Sequence, residues 1–270
     1  MADVDQLVAE IRASKRYRHV SEEMVRRISE AELRHAADLR AAVKATKRKL
    51  HQAVGAFGGQ PPPYDSLCVT LRTAAAEGTP GAMAAACRDA LRWHASTRER
   101  IPILADLYRE VFALTGRPRV IVDLGCGLGP LALPWMGLPS EMAYHAYDVD
   151  EMAVGFVNSF FELLGLPRLA EVRDVLTRCP TQRADVALLL KMVPTLEQQE
   201  EGSGRRLLDA LDARFVVVSF PVRSLGGREK GMVRNYQRQF HEVVSARDWP
   251  VERLLFETEL VYVVDKYQSG

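Results

Sequence analysis

Val120-Ile121-Val122-Asp123-Leu124-Gly125-Cys126-Gly127-Leu128-Gly129-Pro130 runs from an apolar segment through an acid into three glycines at alternate positions. A short run of β-branched and apolar residues closed by glycines predicts a buried strand. The loop after it carries no Cβ at the points where a ligand must come close, and glycine accepts φ > 0 there without steric cost. The spacing is D-x-G-x-G-x-G, whereas a dinucleotide fingerprint reads G-x-G-x-x-G with its acid well downstream. Pro130 directly after the third glycine also fits poorly with a pyrophosphate-binding helix start. A nicotinamide dehydrogenase is therefore disfavoured. On these residues alone, a tight glycine turn that binds nothing stays open.

Working outward toward the C-terminus, strands and helices alternate. Strands are predicted at 119–124, 143–147 ending at Asp148, 171–174, 184–190 and 215–220, with an antiparallel pair at 252–257 and 259–266. Helices are predicted at 151–165, 205–212 and 229–246. This alternation implies an α/β class with a Rossmann-like, mostly parallel sheet whose last strand is antiparallel. Toward the N-terminus the texture is helical throughout. One helix covers 3–18, and one or two follow from Ser21, an expected N-cap, to about 54. Gly55 to Pro63 (GAFGGQPPP) reads as a loop. Helical segments resume over 65–95, broken near Gly78-Thr79-Pro80-Gly81. A last one opens on the capping box Ser96-x-x-Glu99 and reaches about Leu114. The expected organisation is a helical extension over 1–115 and a sheet domain over 116–270.

The glycine pattern resembles motif I of S-adenosylmethionine-dependent methyltransferases. In a doubly wound sheet, ligands bind outside the carboxyl ends of the strands at the switch point. Asp123, Asp148 and Asp174 all stand at predicted strand ends. Asp148 lies 19 residues beyond Gly129, close to the ~20-residue spacing of an acid that takes ribose hydroxyls; a turn acid or helix cap is the competing reading. Asp174 with Val175 would sit beside an adenine. Arg100 could pair bidentately with a carboxylate, or be a surface helix arginine. Lys191 follows strand 184–190 and is a candidate substrate contact.

The chain's formal net charge is only +1, but residues 1–50 hold 12 Lys/Arg against 8 Asp/Glu. Lys15, Arg16 and Arg18 form one basic group, and Lys44, Lys47, Arg48 and Lys49 another. They point to an anionic partner, with a solvated helix face as the alternative. Cys68, Cys87, Cys126 and Cys179 are far apart with no C-x-x-C pair. That pattern indicates neither a disulfide framework nor a zinc site, so no metal is expected and a cytoplasmic setting is. The start lacks a signal-peptide pattern, and no apolar run reaches the ~18–20 residues of a membrane span.

Several strings together resemble the aminoglycoside-resistance 16S ribosomal RNA (guanine-N7) methyltransferases. They are Ile11-Arg12-Ala13-Ser14-Lys15-Arg16-Tyr17-Arg18-His19-Val20, His94-Ala95-Ser96-Thr97-Arg98-Glu99-Arg100-Ile101-Pro102, the glycine loop, the Leu188 to Gln199 segment and the Ser219 to Met232 segment. One departure is Gly226-Gly227 after Ser224-Leu225, where Ser-Gly is expected. The resemblance implies methyl transfer from S-adenosylmethionine to N7 of guanine 1405, leaving S-adenosylhomocysteine. The implied substrate is 16S rRNA within the 30S subunit, and the protein is expected to be a monomer. It further implies that Ser96 and Arg100 hold the amino-acid end of the cofactor under Gly125. Asp148 would take the ribose, Asp174 and Val175 the adenine, and Leu190, Gln199 and Tyr64 would line the same pocket. The seven basic residues would contact RNA. N7 attacks without losing a proton, so no general base is expected, which agrees with the lack of a convincing acid–base pair. A small-molecule methyltransferase and a non-catalytic RNA-binding module are the competing readings.

Overall fold

The computed structural model describes residues 2–55, 61–222, 232–245 and 247–267. Residues 223–231 of the resembling 219–232 block, including the Gly226-Gly227 departure, lie outside the described residues. So do 56–60 of the predicted loop.

Helices come first: α1 (Ala2–Ala13), α2 (Glu22–Leu33), α3 (Leu39–Leu50) with a π-helical turn at His51–Gly55, α4 (Tyr64–Glu77), α5 (Pro80–Leu91), α6 (Ala95–Arg100) and α7 (Leu104–Thr115). The sheet region follows with β1 (Val120–Leu124), α8 (Leu133–Met136), β2 (Ala143–Asp148), α9 (Glu151–Leu163), β3 (Ala170–Val172) and β4 (Ala184–Leu190). It ends with α10 (Val193–Gln199), α11 (Ser203–Ala210), β5 (Ala213–Pro221), α12 (Met232–Val244), β6 (Val251–Leu255) and β7 (Glu259–Asp265).

The seven strands are ordered β3-β2-β1-β4-β5-β7-β6. β1 pairs in parallel with β2 and β4, β2 with β3, and β4 with β5. β7 runs antiparallel between β5 and β6. The strand order reverses at β1 and β4, which opens a crevice at their carboxyl ends. Apolar side chains of β1, β4 and β5 alternate between two cores. Ile121, Val186 and Val217 face one side; Val122, Ala187 and Val216 face the other.

The helical prefix packs in two ways. α1 to α3 close around their own core of Leu7, Ile11, Met24, Val25, Ile28 and Leu50. α4, α5 and α7 instead contribute Leu71, Leu91, Leu107 and Tyr108 to the core on one face of the sheet. Each such fully buried large side chain contributes about 1.5–3 kcal/mol.

Two expected caps are realised differently. Ser21 occupies the N-cap position of α2, but its side chain makes no capping bond. It is buried, and its N–H donates to the Val149 carbonyl at 2.7 Å. The capping box at Ser96 and Glu99 does not form. His94 is the N-cap of α6, Ser96 lies inside the helix, and Glu99 is drawn to Lys191 at 2.7 Å.

Candidate cofactor and RNA site

The crevice outside β1, β2 and β4 opens into a cavity of about 710 Å³, within the ~300–1,000 Å³ range of small-molecule sites. Its floor is the glycine loop. Gly125 and Gly127 both adopt positive φ, at 62° and 48°, which an L side chain rarely tolerates. A Cβ on Gly125 would stand 3.0 Å from Met192 Sδ, and one on Gly127 would meet the His94 ring at 3.2 Å. The loop is thus held in a shape that leaves backbone, not side chains, facing the cavity.

At the end of β2, the Asp148 carboxylate accepts from the Gly127 N–H at 2.7 Å and the Asp150 N–H at 3.0 Å. Burial raises its affinity for a proton, and these N–H donors oppose that shift. Tyr64 reaches the same region from α4. It packs on Phe156 with centroids 5.2 Å apart, and burial, then the Asp150 and Asp148 charges, push its phenol up.

On the far wall, Asp174 follows β3 and Gln199 ends α10. A side chain that the sequence reading missed connects them. Arg27 Nε donates to Asp174 Oδ2 at 2.6 Å, and Arg27 Nη2 donates to Gln199 Oε1 at 2.8 Å. In sequence, Arg27 looks like half of a Glu23–Arg27 surface pair on α2, so nothing local signals this contact.

Of the nine residues expected to hold a cofactor, the structure brings eight to this one cavity: Tyr64, Ser96, Gly125, Asp148, Asp174, Val175, Leu190 and Gln199. Arg100 is the exception. It is buried, with Nε on Glu259 Oε1 at 2.8 Å and Nη2 on Oε2 at 3.4 Å. Nη1 makes no hydrogen bond among the described residues. Glu259 is fully buried at the start of β7 and also accepts from Ser219 Oγ at 2.7 Å.

Lys191 joins this group rather than standing free in the cleft. Its Nζ sits 2.7 Å from Glu99 and 3.3 Å from Glu259. It is the one non-glycine with positive φ among the described residues, at 61°. Its N–H donates to the carbonyl and Oγ of Ser219, each at 3.0 Å, and these bonds hold the unfavourable turn. The substrate contact expected of its ammonium therefore competes with two carboxylates. Two cations face two carboxylates here, so the buried charge balances.

Asp123 lies beneath the loop. Burial pushes its carboxyl up to about 7, against the opposing pull of the Tyr144 O–H bond and the Arg100 charge. His94, also without an assigned role in the sequence, has Nδ1 2.9 Å from Ser96 Oγ. Burial drives its imidazole down to about 4, so it is neutral at neutral pH.

The basic N-terminal residues divide between two places. Lys15, Arg16 and Arg18 are exposed and line the same cavity. Lys44 and Arg48 are exposed on α3, with Lys47 and Lys49 half-buried. The two groups are tied together: Arg16 Nη2 lies 2.8 Å from His51 Nδ1, and Tyr17 O–H donates to the Lys47 carbonyl at 3.1 Å. The segment after Arg18 is stitched to the site itself. Val20 bridges Asp150, and the Glu151 N–H donates to the His19 carbonyl at 2.9 Å. No group of side chains suited to a metal ion occurs among the described residues, and no described helix is long and apolar enough to cross a membrane.

A family model described as ribosomal RNA methyltransferase (FmrO) matches residues 13–263. A 16S rRNA (guanine(1405)-N(7))-methyltransferase from Micromonospora echinospora is 42% identical over 265 residues, covering 97% of each chain. One of the same name from Serratia marcescens is 33% identical, covering 98% of this chain and 99% of the other. The crystal structure of the 16S rRNA methyltransferase RmtF in complex with S-adenosyl-L-homocysteine superposes with a TM-score of 0.82 at 34% identity, covering 97% of each chain. A helical prefix followed by a seven-stranded sheet with a glycine loop is thus the fold of a ribosomal RNA methyltransferase, and the chain belongs to the FmrO family.

Proposed function

We propose that this protein transfers a methyl group from S-adenosylmethionine to N7 of guanine 1405 of 16S rRNA. The observation that carries the reading is one cavity that joins a glycine loop and two strand-end acids to an exposed basic rim, in a chain of this family. Its volume and donors suit the cofactor: backbone at Gly125 and Gly127, a carboxylate for a ribose diol at Asp148, and another for an exocyclic amine at Asp174. Val175, Leu190 and Tyr64 provide the apolar walls. Ser96 lies toward the amino-acid end; Arg100, held by Glu259 and outside the cavity lining, would have to turn its Nη1 inward to meet a carboxylate there.

When bound, S-adenosylmethionine supplies an electrophilic methyl group. The chain's task is then to orient and to exclude water. N7 carries an in-plane lone pair and loses no proton, so positioning carries the rate, on the order of the ~7–11 kcal/mol available from orientation. Lys191 is fixed by Glu99 and Glu259 at the cavity wall, where it would orient rather than deprotonate. Trp93 and Met152 line the cavity and are 40% and 44% exposed; they offer an apolar face to an extruded base.

In this reading residues 1–115 form the RNA-docking extension and 116–270 the methyltransferase domain. Lys15, Arg16 and Arg18 contact phosphates at the rim, and Lys44, Lys47, Arg48 and Lys49 do so from α3. The substrate is 16S rRNA within the 30S subunit, the protein acts as a monomer, and its setting is the cytoplasm. N7-methylguanine bears a fixed positive charge. Placed in the decoding region, it would repel polycationic aminoglycosides, which makes resistance to them the expected consequence.

The test uses labelled cofactor with 30S subunits, naked 16S rRNA and small-molecule acceptors. Label is expected on the subunit; label on a small molecule alone would overturn the reading. Replacing Lys44, Lys47 and Arg48 together by alanine should weaken subunit binding about ten-fold or more and lower its salt slope by about three. Affinity for S-adenosylhomocysteine should stay unchanged. Unaltered subunit affinity would remove α3 from the docking surface.

A further inference from the structure

We propose that Arg27 is a positioning residue for the purine end of the cofactor, through which the N-terminal bundle shapes the methyl donor's pocket. The proposal rests on the reading that Asp174 and Gln199 face the adenine. Arg27 belongs to α2, whose apolar face is buried in the core of the first three helices. Its charged face grips the loop after β3 from two sides. Glu23 accepts from the Asp174 N–H at 3.0 Å and from Arg178 Nε at 2.7 Å. One helical turn later, Arg27 holds the Asp174 carboxylate. The two residues are four apart and so share a face of the helix.

The guanidinium also reaches a second wall. Its Nη2 donates to Gln199 Oε1, while Gln199 Nε2 donates to the Thr195 carbonyl at 3.2 Å. With its oxygen committed to a cation, the Gln199 amide cannot flip without facing an N–H donor with an N–H₂ group. On the Asp174 side, Oδ2 accepts from Arg27 and Thr177, and Oδ1 accepts from the Leu176 N–H at 3.2 Å. The carboxylate plane is thereby set, with its side chain only 5% exposed. A planar fork is suited to bridging two acceptors in fixed directions, and a lysine ammonium on a flexible stem is not. Arg27 therefore fixes the orientation of two polar groups that line the cavity, although it does not itself line it.

The consequence is specific. A purine's exocyclic group would be read by side chains whose geometry is maintained from the extension. Loss of Arg27 should therefore cost discrimination at the purine, beyond any general loss of affinity. The experiment is calorimetric titration of the full chain with S-adenosylhomocysteine and with S-inosylhomocysteine, in which a carbonyl replaces the exocyclic amine. Wild type, Arg27→Gln and Arg27→Lys are compared. Wild type is expected to prefer S-adenosylhomocysteine by about ten-fold or more. Arg27→Gln should weaken its binding about ten-fold and shrink the preference to within about three-fold. Arg27→Lys, which keeps the charge but reaches one acceptor, should also lose most of the preference. In turnover, KM for the methyl donor should rise while kcat at saturation changes little.

The preference is a ratio measured on the same folded molecules, so a smaller active fraction does not mimic its loss. If wild type discriminates and both variants discriminate equally well, the positioning role is wrong while the adenine assignment stands. If wild type itself shows no preference, the adenine assignment fails and the role falls with it.

Discussion

Glu259→Gln is expected to destabilise the protein by about 3–5 kcal/mol, the usual cost of removing one partner from a buried ion pair. Glu259 is fully buried, accepts from Arg100 and from Ser219, and lies 3.3 Å from the Lys191 ammonium. Neutralising it leaves the buried Arg100 guanidinium without its hydrogen-bonded counter-charge. Glu99 remains as the partner of Lys191. Denaturant unfolding should show a lower midpoint with an unchanged slope. The double variant Arg100→Met, Glu259→Met removes both charges and leaves the Lys191–Glu99 pair balanced, so it should cost clearly less than Glu259→Gln alone. If Glu259→Gln costs under 1 kcal/mol, or the double variant is the worse of the two, the charge-balance account of this cluster is wrong.

Asp148→Ala should lower affinity for S-adenosylhomocysteine about 100-fold. Two effects add. A carboxylate paired with a ribose diol contributes about 1.5–3 kcal/mol through hydrogen bonds to a charged group. The same carboxylate also holds the Gly127 and Asp150 N–H groups, so its loss frees the glycine loop. Asp148→Asn keeps the shape and an acceptor but loses the charge, and should lose about ten-fold. Calorimetry on both variants checks the order. Binding within three-fold of wild type in Asp148→Ala would show that Asp148 is only the turn acid that sequence also allowed.

The residues that could be read in advance were those whose signal is local. β4 was legible because Ala184–Leu190 is apolar almost without interruption, as a strand buried on both faces must be. The position of the cavity at the carboxyl ends of the strands followed from glycine spacing and from acids at strand ends. α10 was not expected as a helix, because Val193–Gln199 is short and has Pro194 in its first turn. The Ser96–Glu99 capping box failed for a tertiary reason. Glu99 is worth more opposite the buried Lys191 ammonium than at a helix start, and His94 takes the N-cap position instead.

Long-range partners left no local trace. Arg100 and Glu259 are 159 positions apart, and Arg27 and Asp174 are 147 apart. An acid at the head of the apolar string Leu260–Val264 is the nearest thing to a signal for the first pair. Nothing in α2 separates Arg27 from its solvated neighbour Arg26, which pairs with Asp5 on the surface. The basic cluster at 15–18 was legible as a patch for an anion. Its place on the wall of the glycine-loop cavity was not, because that depends on Val20 bridging Asp150.

The central claim is tested most directly by locating the methyl group. N7 alkylation makes guanosine labile to borohydride reduction, and aniline then cleaves the RNA at that nucleotide, so primer extension reads its position. After 30S subunits are incubated with the protein and S-adenosylmethionine, we expect one new enzyme-dependent stop, reporting cleavage at guanine 1405. The stop should be absent without S-adenosylmethionine and strongly reduced with the Asp148→Ala variant. Labelled subunits that give no stop at guanine 1405, or a stop at another guanine, would contradict the account.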